Sequence, residues 1–192
     1  MIVASTDLGN HAYWLSSRAA GTAAMLFASA AMFVGALRAA GLAGANVHGS
    51  SRRLTLGIIH ESLGLATIGA LLIHGFVLMG DNFLKPSFGD IAIPFSWSYQ
   101  STDNGIGIIA GYVFMVFSLS YYIRGRVGEA RWTMLHRLTV LAWAASIWHT
   151  LGEGTDRHQA WFKVLLVAPG AAALAVVLWR ILGRSRVEHA AA

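Results

Sequence analysis

The chain has 192 residues, 56% of them apolar and 12% charged, about half the charged share of an ordinary soluble domain, so lipid is the solvent its composition implies. Its formal charge of +5 does not point to nucleic acid, because the basic residues punctuate apolar runs and form no patch. Cysteine is absent, which excludes disulfides, iron–sulfur clusters, thiolate metal sites and the C-x-x-C-H attachment of c-type haem.

Met1 to Tyr13 contains no Lys or Arg, and the apolar run after it is too long for a signal-peptide core, so it is expected to be retained as a first span. Five apolar segments follow in order, at 14–38, 54–79, 104–123, 132–152 and 160–182, each near the ~20 residues a bilayer core requires. Lipid offers no partner to unpaired backbone groups, so all five are expected to be helices. The reading is an all-α bundle of five transmembrane helices forming one domain over 1–192.

The loops set an orientation. Arg38, Arg52, Arg53, Arg124, Arg126, Arg131, Arg180, Arg184 and Arg186 fall on one side, against Lys85, Arg157 and Lys163 on the other. Nine cations against three place the first side in the cytoplasm, with the N-terminus outside and the C-terminus inside, in a multi-pass plasma-membrane protein. The loop at 80–103 is the longest and carries Phe83, Phe88, Phe95, Trp97 and Tyr99. It reads as an aromatic belt at the interface or as a lid over an outward-facing site.

Four histidines lie inside the apolar segments, where ionisable groups are rare and usually functional. His60 and His74 are 14 residues apart on the second segment, which returns to within about 40° of one face after a rise of about 21 Å. His136 and His149 occupy the fourth segment. One segment intervenes, so the second and fourth run in the same direction, and His60 is expected to meet His136 and His74 to meet His149. Two bis-imidazole sites at different depths suit two flat macrocycles between parallel helices. The second interval is 13 residues, which leaves His136 and His149 about 140° out of phase in a straight α-helix. Overwinding, a short 3₁₀ stretch or a kink must intervene if both ligate.

Gly64, Ala66, Gly69 and Ala70 thin the second helix between its histidines, making room either for a cofactor or for close helix packing. Gly107-x-x-x-Gly111 on the third segment reads as helix packing. Trp143, two turns beyond His136, either sits between the two sites or packs as an ordinary aromatic. Glu61 reads as a member of an ion pair with Arg53 or Arg137, or as a proton relay.

These residues resemble the ferric-reductase-like transmembrane family, which includes NADPH oxidases, ferric reductases and bacterial haem-bearing subunits. The resemblance covers about 13–182 and rests on Trp14-x-x-x-Arg18-x-x-Gly21, on His60-x-x-x-Gly64-Leu65 with His74, and on Arg131-Trp132, Leu135-His136-Arg137-Leu138 and His149. The unequal intervals of 14 and 13 belong to the same pattern. It implies two b-type haems, with His60 and His136 on the inner iron and His74 and His149 on the outer. It further implies a contact of Arg18 with the outer haem or the acceptor site, against snorkelling to headgroups. Arg137 meets an inner propionate or headgroups on the same reasoning. Oxygen-reducing members carry a further histidine where this chain has Leu78, which argues against dedicated superoxide production.

The flavin and nicotinamide domain of the larger relatives is expected to be missing, since the chain stops about ten residues after its last segment. Electrons would then come from a cytoplasmic flavin reductase, from FMN or FAD bound at the cytoplasmic side, or from a quinol. They would leave for ferric iron, oxygen or an extracytoplasmic reductase, as in membrane subunits of methionine sulfoxide repair. The rival is a metal-ion transporter or sensor binding Zn or Fe directly through the histidines, to which His11, His158, Glu153 and Asp156 on the outer side could add ligands.

Overall fold

The computed structural model describes the backbone of residues 3–41 and 47–190, and the side chains of 11–41, 51–176 and 178–179. Those of Arg180, Arg184 and Arg186, three of the cations used to orient the chain, lie outside the described residues. The described residues are mostly helical and include no strand. Its helices are α1 (Val3–Ala39), α2 (Val47–Leu78), a short α3 (Phe88–Ala92), α4 (Ser101–Ser120), α5 (Arg124–Val127), α6 (Glu129–His136), α7 (Thr139–Glu153) and α8 (Ala160–Ala190). A 3₁₀ turn, Tyr121–Ile123, joins α4 to α5.

Three stretches, His11–Ala39, Ser51–Leu78 and Ser101–Val127, are long and apolar enough to cross a bilayer. They cover the first three of the five expected segments. The fifth is apolar over the shorter Ala160–Val176, and the fourth is broken into α6 and α7. Large apolar side chains cover the outside of the bundle, among them Leu54 at 71% exposure, Leu141 at 66% and Val164 at 64%. An exterior of that kind is stable against acyl chains and not against water.

The interior is built from small residues. Ser17, Ala24, Ala28 and Ser29 line the buried side of α1, and Thr67 and Ala70 that of α2. Small side chains let helix backbones approach closely, which replaces the hydrophobic drive that lipid removes. α1 and α2 form the largest helix pair and run antiparallel, since Gly21 lies at His74 while Gly35 lies at His60. α4 and α7 form the second pair, also antiparallel, with Gly107 at His149 and Phe117 at His136. α8 packs on α1, where Met25, Phe162 and Leu166 make a buried cluster with Trp143 and Ile147 of α7 against it.

The break in the fourth segment lies between its histidines. α6 ends at His136, and the amides of Leu138, Val140 and Leu141 bond three residues back, to Leu135, Arg137 and Leu138. A turn of this kind advances about 120° per residue where an α-helix advances about 100°. The 13-residue interval is therefore overwound, and His149 swings round toward the face that carries His136.

Candidate functional site: two facing histidine pairs

α2, α6 and α7 bring the four histidines together in two pairs. The ring centres of His60 and His136 lie 5.9 Å apart with planes at 83°, and those of His74 and His149 lie 6.3 Å apart with planes at 74°. First meets first and second meets second, so α2 runs in the same direction as the α6–α7 segment.

Three of the four rings are held by one repeated device. His60 Nδ1 donates to the Ala31 carbonyl at 2.8 Å, His74 Nδ1 to the Ser17 carbonyl at 2.8 Å, and His149 Nδ1 to the Asp103 carbonyl at 2.9 Å. Each acceptor is a helical carbonyl on the neighbouring helix, and four residues after each stands a glycine: Gly35, Gly21 and Gly107. A Cβ on Gly35 would come within 3.1 Å of the His60 ring, one on Gly21 within 2.9 Å of His74, and one on Gly107 within 2.6 Å of His149. The glycine opens the helix surface so that the ring can lie flat enough to reach the carbonyl. Since a carbonyl can only accept, each Nδ1 carries the proton and each Nε2 keeps its lone pair. This is how metal-ligating histidines are usually oriented. At His74 the Ser17 hydroxyl adds a bond to the His74 carbonyl at 2.7 Å.

His136 is the exception. Its Nδ1 is buried and has no hydrogen-bond partner. The ring stacks instead on Trp132, one turn earlier on α6, with centres 4.8 Å apart and planes at 17°, and Phe117 meets it edge-on at 6.2 Å. Trp132 is itself anchored, its Nε1 donating to Ser120 Oγ at 2.9 Å.

A cavity of about 430 Å³ opens beside the His74–His149 pair, within the ~300–1,000 Å³ typical of small-molecule and cofactor sites. Arg18, Asp156 and Glu153 stand on its wall, and Leu84, Phe88, Ile91, Trp97 and Tyr99 of the 80–103 loop border it. The loop is tied down where Tyr112 of α4 donates to the Ala92 carbonyl, and Phe88 stacks on Phe76 of α2. Its aromatic residues thus help to enclose the cavity as well as facing outward. Leu78 also lines it.

Arg18 forms an ion pair with Asp156 and lies 5.2 Å from the Trp14 ring, so a carboxylate of the α7–α8 loop offsets the cost of this cation in an apolar helix. Glu153, just past the fourth apolar segment, has a buried, unpartnered Oε1. Burial and then the Asp103 charge push its carboxyl up to about 7, with Arg157 partly opposing.

Other sequence candidates fall elsewhere. Arg137 is exposed in the turn between α6 and α7, with no carboxylate partner among the described residues. Glu61 accepts a hydrogen bond from Tyr122 at 2.7 Å, and among the described residues it makes no ion pair with Arg53 or Arg137. Trp143 donates to Ser29 Oγ at 2.9 Å and packs against Gly170, as an ordinary packing aromatic does. Gly107 seats a histidine, where helix packing was expected, and Gly111 has open space before it. No group of three or more His, Asp or Glu that could hold a metal ion occurs among the described residues, so His11, His158, Glu153 and Asp156 do not assemble one.

Sequence reasoning missed Gly35, the Ser17 and Asp103 carbonyls, and any role for Trp132. One signal was available: Gly21 and Gly35 are 14 residues apart, the interval that separates His60 from His74. On antiparallel helices equal intervals place two glycines opposite two histidines.

No protein-family model, characterised protein or solved structure matches the chain. The resemblance to ferric-reductase-like proteins is therefore carried by the quoted motifs alone, and the functional reading stands on the geometry of the pairs.

Proposed function

We propose that this chain carries electrons across a membrane, with His60 and His136 holding one b-type haem toward the cytoplasmic face and His74 and His149 a second toward the outer face. The observation that carries the reading is the shared tautomer: three half-buried rings give their Nδ1 proton to a carbonyl and keep Nε2 free to ligate. The pair geometry suits the group as well. With ring centres 5.9 and 6.3 Å apart, the two imidazoles of each pair could both reach one metal ion placed between them, given metal–nitrogen bonds of about 2 Å. Bis-imidazole haem iron takes up and releases one electron at a time.

The chain's own residues fix the ligand planes and set the separation of the two sites along α2. Arg18 places a cation beside the outer site, partly neutralised by Asp156, where an anionic group could exchange for that carboxylate. On this reading α6–α7 and α8 complete a five-helix transmembrane bundle, with the N-terminus outside and the C-terminus in the cytoplasm of a plasma membrane. The chain belongs with the ferric-reductase-like proteins; a cytoplasmic flavin reductase, bound flavin or quinol feeds the inner site, and ferric iron, oxygen or an extracytoplasmic reductase drains the outer. Direct binding of Zn or Fe ions is disfavoured, because each pair supplies two imidazoles and no third ligand joins either among the described residues.

The test is a pair of variants purified after expression with added haem precursor. His60→Ala and His74→Ala are each expected to halve the haem bound per chain and to remove different components of the low-spin spectrum. Unchanged haem content in both variants would overturn the proposal.

A further inference from the structure

The two pairs are not built alike, and the difference lies at His136. His60, His74 and His149 each have a carbonyl at Nδ1 and a glycine under the ring. His136 has neither. Its Nδ1 is buried without an acceptor, and it stands at the last residue of α6, beside the overwound turn. Among the rings around it, only Trp132 lies parallel, at 4.8 Å and 17°. The indole is held in turn by Ser120 Oγ and by Tyr121, whose ring centre lies 5.9 Å away beneath the Arg124 guanidinium at 3.9 Å.

We propose that Trp132 is the positioning residue of the inner site, doing by stacking for His136 what a carbonyl and a glycine do for the other three rings. This rests on the haem reading above and deepens it. A stack fixes the plane of a ring, but it sets neither the tautomer nor the basicity of the ring nitrogens, which a hydrogen bond at Nδ1 sets. His136 is therefore the ligand whose tautomer nothing in the protein commits, and the inner site is the more easily altered of the two. The Ser120–Trp132–Tyr121–Arg124 contacts run from this ring toward the arginine-rich end of the bundle. A change in that segment, such as the docking of an electron donor, would reach His136 through the indole.

The decisive experiment compares Trp132→Leu with Trp132→Phe in the haem-loaded protein, read by haem per chain and by low-temperature electron paramagnetic resonance. Trp132→Leu is expected to lose or convert to high spin the component that His60→Ala removes, leaving the outer component unchanged; Trp132→Phe, which keeps a stacked ring, is expected to retain it. Both low-spin components unchanged in Trp132→Leu would overturn the proposal, as would equal loss of both. Should Trp132→Leu fail to accumulate, ¹⁵N-histidine spectra of the wild-type chain without haem decide. His60, His74 and His149 are expected as Nδ1–H tautomers, while the fourth ring, assigned by its absence in His136→Gln, is expected as a mixture of both tautomers. Four Nδ1–H rings would overturn it. A wild-type chain that binds no haem would instead overturn the functional reading and leave the tautomer result standing.

Discussion

The His74–His149 pair and the His60–His136 pair use the same residue type at similar separation, yet the protein invests differently in them. Both rings of the first pair bond to carbonyls, both lie on glycines, and a cavity opens beside them. The second pair has this support on one side only, the other ring leaning on Trp132. Spacing along a helix can place two ligands at a site, but the neighbouring helix decides how firmly each is oriented.

Substitution of the glycines should break this contrast most strongly. Gly107→Ala places a methyl 2.6 Å from the root of the His149 ring, where turning the ring about its Cβ–Cγ bond does not relieve it, and Gly21→Ala comes within 2.9 Å of His74. Each is expected to weaken cofactor retention at the outer site by about 10–100-fold, the usual cost of losing an orienting contact. Gly35→Ala, at 3.1 Å from the far edge of His60, should do less to the inner site. Gly69→Ala and Gly111→Ala, with nothing within 4 Å, should leave haem content unchanged. Haem titration into detergent-solubilised variants measures the order; equal losses in all five would show that the glycines serve backbone packing alone.

A smaller effect is expected at the rim. Asp156→Asn leaves Arg18 without its carboxylate, but both side chains are partly exposed, so the change in stability should be at most about 1 kcal/mol. Thermal unfolding should detect a modest fall, and a loss of haem equal to that of Gly107→Ala would mean the ion pair is part of the ligand cradle.

The smallest effect is a pH dependence confined to Glu153. Its folded carboxyl titrates at about 7 against 4.5 in the unfolded chain, so between those values the folded state holds the extra proton. Stability from this group is therefore greatest below about pH 4.5 and declines as the pH rises through 7. Glu153→Gln should flatten that part of the curve of melting temperature against pH, and an unchanged slope would contradict the assignment.

Much of this arrangement was legible in the sequence because a membrane simplifies the problem. Long apolar runs must be helices, and parallel helices separated by one crossing must match first histidine with first. The bend that reconciles the 13-residue interval could be required but not located, since it depends on where α6 yields, at Arg137 and Leu138. The glycine seats were harder to see. Glycine in an apolar helix usually reports close backbone packing, and only the partner helix reveals that a ring fills the gap. Trp132 was visible as part of a motif, but its role follows from an absence, the missing acceptor at His136 Nδ1, which no linear pattern records.

The central claim is two bis-histidine haem sites in one chain, and the most direct measurement is the haem content of the purified wild-type protein combined with its paramagnetic resonance spectrum. The expected result is two b-type haems per chain, both low-spin and both strongly anisotropic, because the imidazole planes cross at 83° and 74°. A colourless protein, or one whose haem is high-spin throughout, would contradict it.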